Sequence, residues 1–324
     1  MIGDGSWGTT LAVYLARKGY HVTLWGPFAD YIRRVKQNRI NAKFLPGIKI
    51  PPSVIITPNL TEAVRPADLI VLAVPSKYIR RVLKKLSQEK LNRKIFLSVI
   101  KGIEYKTSAR MSQVIQRELG RVPLAVLSGP TIAREVALGI PSSAVIASAN
   151  LRLAKKLQHV FNSPHFRIYT NSDVVGLELG GSLKNIIAIA CGVCDGLGFG
   201  TNAKAAILSR GLAEIVRLGQ ALGAKASTFS GLAGLGDLVT TCISSQSRNR
   251  YVGEQLGRGK TIRSILDSMD MVAEGVETVK AAVRLSKKYR ISMPITTEVY
   301  RIIYQAKKPQ NAVQDLMTRR LKSE

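Results

Sequence analysis

The chain has 324 residues, with 48 Lys plus Arg against 21 Asp plus Glu and a formal net charge of +27. At about 150 residues per domain that length favours two domains, and 46% hydrophobic with 21% charged residues excludes disorder, a coiled coil and a fibrous repeat. The basic excess invites nucleic acid, an anionic membrane surface or a phosphorylated small molecule as partner, and does not choose among them. Cys191, Cys194 and Cys242 are too few for a disulfide scaffold, which points to a reducing compartment. Cys191 and Cys194 form a C-x-x-C, but no second pair or nearby His completes a zinc site, so they read as small core thiols and no metal is expected. No stretch approaches the uncharged apolar length of a membrane span, the uncharged run from Val136 to Leu151 carrying Gly139, Pro141 and three serines. The N-terminus opens on glycines without a signal-peptide pattern, so a cytoplasmic location is expected.

In chain order, Gly3-Asp4-Gly5-Ser6-Trp7-Gly8 is a G-x-G-x-x-G that opens into a helix predicted over Thr9–Lys18, followed by a strand over His21–Trp25. There the first glycine makes a tight turn, the second lets a pyrophosphate approach the backbone and the third lets helix pack on strand. The helix N-terminus adds N–H groups and a positive dipole end for phosphates. The acidic residue that usually anchors a ribose after the second strand is missing, because Gly26, Pro27 and Phe28 follow Trp25. Asp30 reads as a helix start, and Arg33, Arg34 and Lys36 suit either a 2′-phosphate or a solvated face.

Further strands are predicted over Leu69–Val74, Ile95–Val99, Leu124–Leu127, Ala144–Ala147 and Phe166–Tyr169, with helices such as Tyr78–Leu86 and Leu151–Phe161 between them. The alternation predicts a Rossmann-like α/β domain over residues 1–171. Lys101-Gly102 and Ser128-Gly129-Pro130-Thr131 fall after strands, where open α/β sheets place ligands. From Asn171-Ser172-Asp173 onward long helical runs take over, including Val174–Ala190, Ala203–Leu222 and Glu277–Tyr289, which predicts an all-α substrate domain over 172–324.

In that second half Lys184 is the only charge between Glu178 and Asp195, set in Gly180-Gly181-Ser182-Leu183-Lys184-Asn185. Desolvation of such an ammonium lowers its pKa toward neutrality, which suits a general acid/base. Asp237 is the sole charge between Lys225 and Arg248 and reads as a partner for a lysine or a substrate hydroxyl, or as a helix cap. Ser247-Arg248-Asn249-Arg250 is a donor cluster of the kind that grips phosphate, or an exposed loop. His21, His159 and His165 lie in no catalytic setting, which disfavours histidine relay chemistry.

Together these residues resemble the NAD(P)-dependent glycerol-3-phosphate dehydrogenases of the bacterial type, over essentially the whole chain. The likeness rests on Gly3 to Thr9, Ala73-Val74-Pro75-Ser76, Lys101-Gly102-Ile103-Glu104, Leu127 to Thr131, Gly180 to Asn185, Gly234 to Leu238, Gln246 to Asn249 and Val272-Ala273-Glu274-Gly275. The resemblance implies reversible hydride transfer between NADPH or NADH and dihydroxyacetone phosphate, giving sn-glycerol 3-phosphate for phospholipid synthesis. By position it makes Lys184 the proton donor and acceptor at the C2 oxygen. It gives Lys101, Gly129, Thr131, Asp237, Ser247, Arg248 and Asn249 to the substrate. It gives the Gly3, Gly5 and Gly8 turn with Ser6, Trp7, Lys101, Ala133, Arg248, Val272 and Glu274 to the cofactor.

The expected partner is therefore a small phosphorylated substrate, without nucleic acid or an integral membrane segment, and a homodimer stays open. The alternatives are a related two-domain reductase of another oxo or hydroxy acid and a non-enzymatic nucleotide- or nucleic-acid-binding protein, which the scattered positive charge disfavours. The chain departs from the family at Pro27 and Phe28, where a basic or polar residue is usual. It also has only Met1 and Ile2 before the glycines. A central strand so short is expected to leave neighbouring backbone groups unpaired, which leads to the expectation of a natural start several residues upstream.

Overall fold

Gly3 has a φ of 117°, outside the range open to side chains. A Cβ on Gly8 would lie 2.0 Å from the Gly3 carbonyl oxygen. The chain therefore turns sharply into α1 (Ser6–Arg17), which starts three residues earlier than its apolar periodicity suggests because Gly5 already serves as N-cap. The computed structural model describes residues 1–321 and 323. They fall into two compact units, one of Met1–Lys101 with Ala109–Glu178, the other of Gly102–Ser108 with Leu179–Glu324.

The first unit continues with β1 (Thr23–Trp25), α2 (Ala29–Asn38), β2 (Ile55–Thr57), α3 (Leu60–Val64), β3 (Leu69–Leu72) and α4 (Ser76–Leu86). Then come β4 (Ile95–Ser98), α5 (Met111–Leu119), β5 (Leu124–Ser128), α6 (Ala133–Ala137), β6 (Ser142–Ala147), α7 (Leu151–Phe161) and β7 (Phe166–Asn171). β1 pairs parallel with β2, and β3 to β7 pair in sequence, all parallel except β5 with β6. Met1 and Ile2 thread between β1 and β3. Trp25 N–H bonds to Met1 O at 2.9 Å, Ile2 N–H to Val71 O at 2.8 Å, and Ala73 N–H to Ile2 O at 2.8 Å. Backbone pairing thus persists along this short segment.

β2 was not foreseen. Its three residues are too few to carry a periodicity signal, and its place depends on pairing with β1. One face of the sheet packs Leu11, Leu15, Leu24, Ile32, Leu157 and Phe161 from α1, β1, α2 and α7. The other packs Ile70, Ile79, Leu83, Phe96, Val114 and Ile115 from β3, α4, β4 and α5. This two-sided burial explains why the strands read as continuous apolar runs.

The second unit is helical among its described residues. α8 (Val174–Gly196), whose first turn belongs to the first unit, is followed by α9 (Thr201–Ala221), α10 (Ala226–Ser230), α11 (Asp237–Ile243) and α12 (Arg248–Gly257). α13 (Ile262–Asp267), α14 (Glu274–Lys288), α15 (Pro294–Tyr304) and α16 (Pro309–Met317) complete it. α8 extends past the predicted Ala190 and is long and apolar enough by length and composition to cross a membrane, although Glu178, Lys184 and Asp195 interrupt it. Of its most apolar stretch 89% is buried inside the protein, so it is the central helix of a core. Cys191 and Cys194 on α8 and Cys242 on α11 are free and buried there, and burial pushes the Cys194 thiol up to about 11. Those are the properties of packing thiols, not of reactive ones.

Candidate active site

In the first unit the predicted ligand residues gather at the carboxyl ends of strands. α1 has no side-chain cap at its N-terminus, and a Cβ on Gly5 would meet nothing within 4 Å. Its first-turn N–H groups therefore face open space, as an anion cradle requires. Trp7 packs edge-on against Phe166 at 6.4 Å, and its buried Nε1 has no hydrogen-bond partner among the described residues. Such an orphan donor beside a glycine turn fits an incoming polar ligand. Lys101, beyond β4, donates to Gly129 O at 2.8 Å and to Thr131 Oγ1 at 3.2 Å. Gly129 has a φ of 144° and sits against Ala144, which lets the loop after β5 reach that lysine. Ala133 starts α6, where its carbonyl accepts from Thr10 Oγ1 of α1 at 3.0 Å.

Asp4 is a feature that the sequence did not single out. It is 6% exposed, its Oδ2 lacks a hydrogen-bond partner among the described residues, and burial raises its pKa to about 6. A Cβ on Gly26 would fall 2.5 Å from the Asp4 Cγ, so the carboxyl fills the space that a side chain after β1 would take. The strand end that lacks its own acid thus has one packed against it from the glycine turn.

In the second unit Lys184 is 5% exposed, and its ammonium donates to Asp237 Oδ1 and, at 2.5 Å, to Thr241 Oγ1. The sequence implied apolar surroundings for this lysine, and the structure adds an acceptor pair from α11. Just before α11 the chain makes a wide turn over Leu232–Gly236, where Gly236 N–H reaches back five residues to Gly231 O at 3.2 Å. A Cβ on Gly180 would lie 2.5 Å from Ala233 O. α8 and the wide turn therefore touch through Gly180, one helical turn before Lys184, and this contact delivers Asp237 to the ammonium. Thr241 was missed, although its i+4 spacing from Asp237 on one helix was a usable signal; its hydroxyl also donates to Asp237 O at 2.7 Å.

Ser247 caps α12, its Oγ accepting from Arg250 N–H at 3.2 Å. Arg248 is open to solvent and donates to Val272 O at 2.8 Å, with Glu274 starting α14 beside it. Asn249 is buried and donates to Asn185 Oδ1 at 2.9 Å while accepting from Gly275 N–H at 2.9 Å. Asn185, the residue after Lys184, thereby joins the lysine helix to the donor cluster, a role that its place in the Gly180 to Asn185 motif did not reveal. The unit brings together a buried ammonium–carboxylate pair and a helix N-terminus lined by a hydroxyl, a guanidinium and an amide, a set suited to proton transfer beside a held phosphate.

Residues 1–154 match the NAD-dependent glycerol-3-phosphate dehydrogenase N-terminus and residues 173–314 its C-terminus. The glycerol-3-phosphate dehydrogenase [NAD(P)+] of Prosthecochloris aestuarii is 48% identical over 327 residues, covering 100% of this chain and 98% of that protein. That of Citrifermentans bemidjiense is 49% identical with the same coverage. A crystal structure of glycerol-3-phosphate dehydrogenase from Coxiella burnetii superposes with a TM-score of 0.95 at 39% identity, covering 98% of each chain.

Proposed function

Because the chain belongs to the NAD-dependent glycerol-3-phosphate dehydrogenase family, we infer that it interconverts dihydroxyacetone phosphate and sn-glycerol 3-phosphate with NADH or NADPH, toward phospholipid synthesis. The single observation that carries this reading is the buried Lys184 ammonium bonded to Asp237 and Thr241, on the helix that Asn185 links to the Ser247-Arg248-Asn249 cluster.

The Gly3–Gly8 turn with the N–H groups of α1 would hold the dinucleotide pyrophosphate, with Trp7, Lys101, Ala133, Arg248, Val272 and Glu274 lining the rest. A nicotinamide held there would supply hydride-transfer chemistry for C2 of the ketone. Lys184 then delivers its proton to the C2 oxygen as negative charge develops there. Asp237 and Thr241 hold the ammonium through two acceptors and so fix its position for the substrate oxygen. In the oxidation direction the same amine takes the C2 hydroxyl proton. Ser247, Arg248 and Asn249 grip the phosphate with charge-assisted hydrogen bonds from a helix N-terminus. Lys101, Gly129 and Thr131 complete the assigned substrate contacts. The sign of these groups also accounts for part of the basic excess.

A cytoplasmic location and a homodimer belong to the same proposal, and a light-scattering mass equal to one chain refutes the second. The main test follows the nicotinamide absorbance with and without dihydroxyacetone phosphate and identifies the product. Oxidation of NADH or NADPH that depends on the phosphorylated ketone and yields glycerol 3-phosphate supports the reading; its absence with both nucleotides overturns it.

A further inference from the structure

Arg250, two residues past Arg248, is fixed at three points within the second unit. Its N–H bonds to the capping Ser247 Oγ, and its Nε donates to Asp195 Oδ2 at 2.6 Å. Its carbonyl oxygen lies where a Cβ on Gly192 would come within 2.0 Å. Asp195 stands on the last turn of α8, eleven residues beyond Lys184, and its other oxygen accepts from Lys204 of α9 at 2.5 Å. Both cations and the carboxylate are mostly shielded, with side-chain exposures of 20%, 26% and 14%.

The two helices meet backbone to backbone. A Cβ on Gly253 of α12 would sit 1.9 Å from Ile189 O, and one on Gly257 would sit 2.5 Å from Val193 O. With Gly192 and Gly196 opposite them, the crossing brings the two backbones close together. A contact of this kind sets the interaxial distance. The Asp195–Arg250 pair is directional and acts on the first turn of α12, the turn that carries Ser247, Arg248 and Asn249.

Resting on the function proposed above, we propose that Asp195 is a positioning residue: by holding Arg250 it sets the register of the phosphate-gripping end of α12 relative to Lys184 on α8. The carboxylate touches neither substrate nor proton. It adds a directional, mostly shielded bond to this close helix crossing, and a phosphate grip displaced by about 1 Å is enough to cost up to about 100-fold in rate.

The test compares Asp195→Asn, which keeps the shape and removes the charge, with Asp195→Glu, Arg250→Gln and Lys204→Gln. Three quantities are measured: KM and kcat for dihydroxyacetone phosphate, kcat/KM for unphosphorylated dihydroxyacetone, and calorimetric binding of inorganic phosphate to the protein without nucleotide. Asp195→Asn and Arg250→Gln are expected to raise the KM for the phosphorylated ketone and the Kd for phosphate by a common factor of about 10 or more. They should leave turnover of the unphosphorylated ketone within about twofold, and together they should be no worse than either alone. Asp195→Glu should recover part of the loss, and Lys204→Gln, which shares the carboxylate but leaves α12 held, should change little. Equal losses on both ketones, an unchanged phosphate affinity, or a Lys204→Gln effect as large as that of Arg250→Gln would each overturn the proposal. Should Asp195→Asn fail to fold, the Arg250→Gln and Lys204→Gln pair decides alone. A wild-type protein that turns over neither ketone refutes the function itself, a result distinct from a normal wild type with an indifferent Asp195→Asn variant.

Discussion

On the function proposed above, the two units would recognise phosphate in different ways. In the first the donors are backbone N–H groups, left uncapped at α1 and opened to a ligand by Gly3, Gly5 and Gly8. In the second the key atoms belong to side chains: the Lys184 ammonium, the Asp237 carboxylate and the Ser247-Arg248-Asn249 set, brought together by helices that touch through glycine. Backbone recognition needs only a local string of residues, because the chain geometry itself makes the site. Side-chain recognition needs elements far apart in sequence to be pressed together, and Gly180, Gly192, Gly253 and Gly275 serve that end.

The sharpest way to break this comparison is to remove the side-chain function and ask whether the backbone function survives. Lys184→Ala should lower kcat by about 10²–10⁴, the usual loss for a positioned acid/base group. NADH binding followed by fluorescence should stay within about twofold, since the dinucleotide cradle is built elsewhere. Near-normal turnover in the variant would remove Lys184 from its role, and a parallel collapse of nucleotide affinity would show that the two recognition modes are not separable.

Arg248→Ala probes the side-chain mode at its phosphate end. Loss of a charge-assisted hydrogen bond should weaken substrate binding by about 1.5–3 kcal/mol, a KM increase of roughly 10- to 150-fold. A KM for dihydroxyacetone phosphate that does not move would place the phosphate on other residues.

What was legible in the sequence follows the same division. The glycine turn, the helix behind it and the strand-end positions of Lys101 and Gly129 could be read because each is a local pattern. β2 could not, because three residues gain strand geometry only from β1 beside them. Lys184 and Asp237 were both noticed as solitary charges, yet their pairing spans 53 residues and depends on the wide turn before α11, which no periodicity announces. Asn185 looks like any polar helix residue until Asn249 is found opposite it. Asp4 was hidden in an otherwise standard motif, because its burial depends on the missing Cβ of Gly26.

Asp4 gives a test within the backbone-built unit. Its pKa in the folded protein is about 6 against a reference of 3.8, raised by burial. The folded state therefore binds this proton more tightly than the unfolded state, and the associated stability is present below about pH 4 and lost as pH rises through 6. Above that window the ionised carboxyl costs folding an amount on the order of 3 kcal/mol, the upper end of what a shift of this size implies. Asp4→Asn should then melt higher than the wild type at pH 8 and show a smaller gap at pH 4.5. Curves that stay parallel across this range would mean that the carboxyl is solvated or paired in solution. Glu214, whose buried carboxyl is also shifted up by desolvation, contributes to both proteins alike and cancels in the comparison.

The smallest expected effect lies at the edge of the first unit, where a side chain would have to supplement the backbone cradle. The basic run on α2 follows the strand end that lacks its acidic ribose anchor, so a 2′-phosphate there meets no repulsion from residues 26 to 28. The candidates differ in how free they are. Arg33 is paired with Asp30 across side chains that are 73% and 86% exposed, and Arg34 lies over the Tyr31 ring at 5.8 Å. An exposed ion pair contributes at most about 1 kcal/mol, so the Arg33-Arg34 double alanine variant should raise the Kd for NADPH by only about two- to fivefold while NADH is unchanged. Because such a contact is screened, the difference between nucleotides should vanish near 0.5 M salt, where the Debye length falls to roughly 4 Å. Asp30→Asn, which releases Arg33, should move the preference toward NADPH by a similar factor. A wild-type protein that strongly prefers NADH, or a double variant that weakens both nucleotides equally, would assign the basic face of α2 to solvent and leave the cofactor site of the first unit as one made by backbone alone.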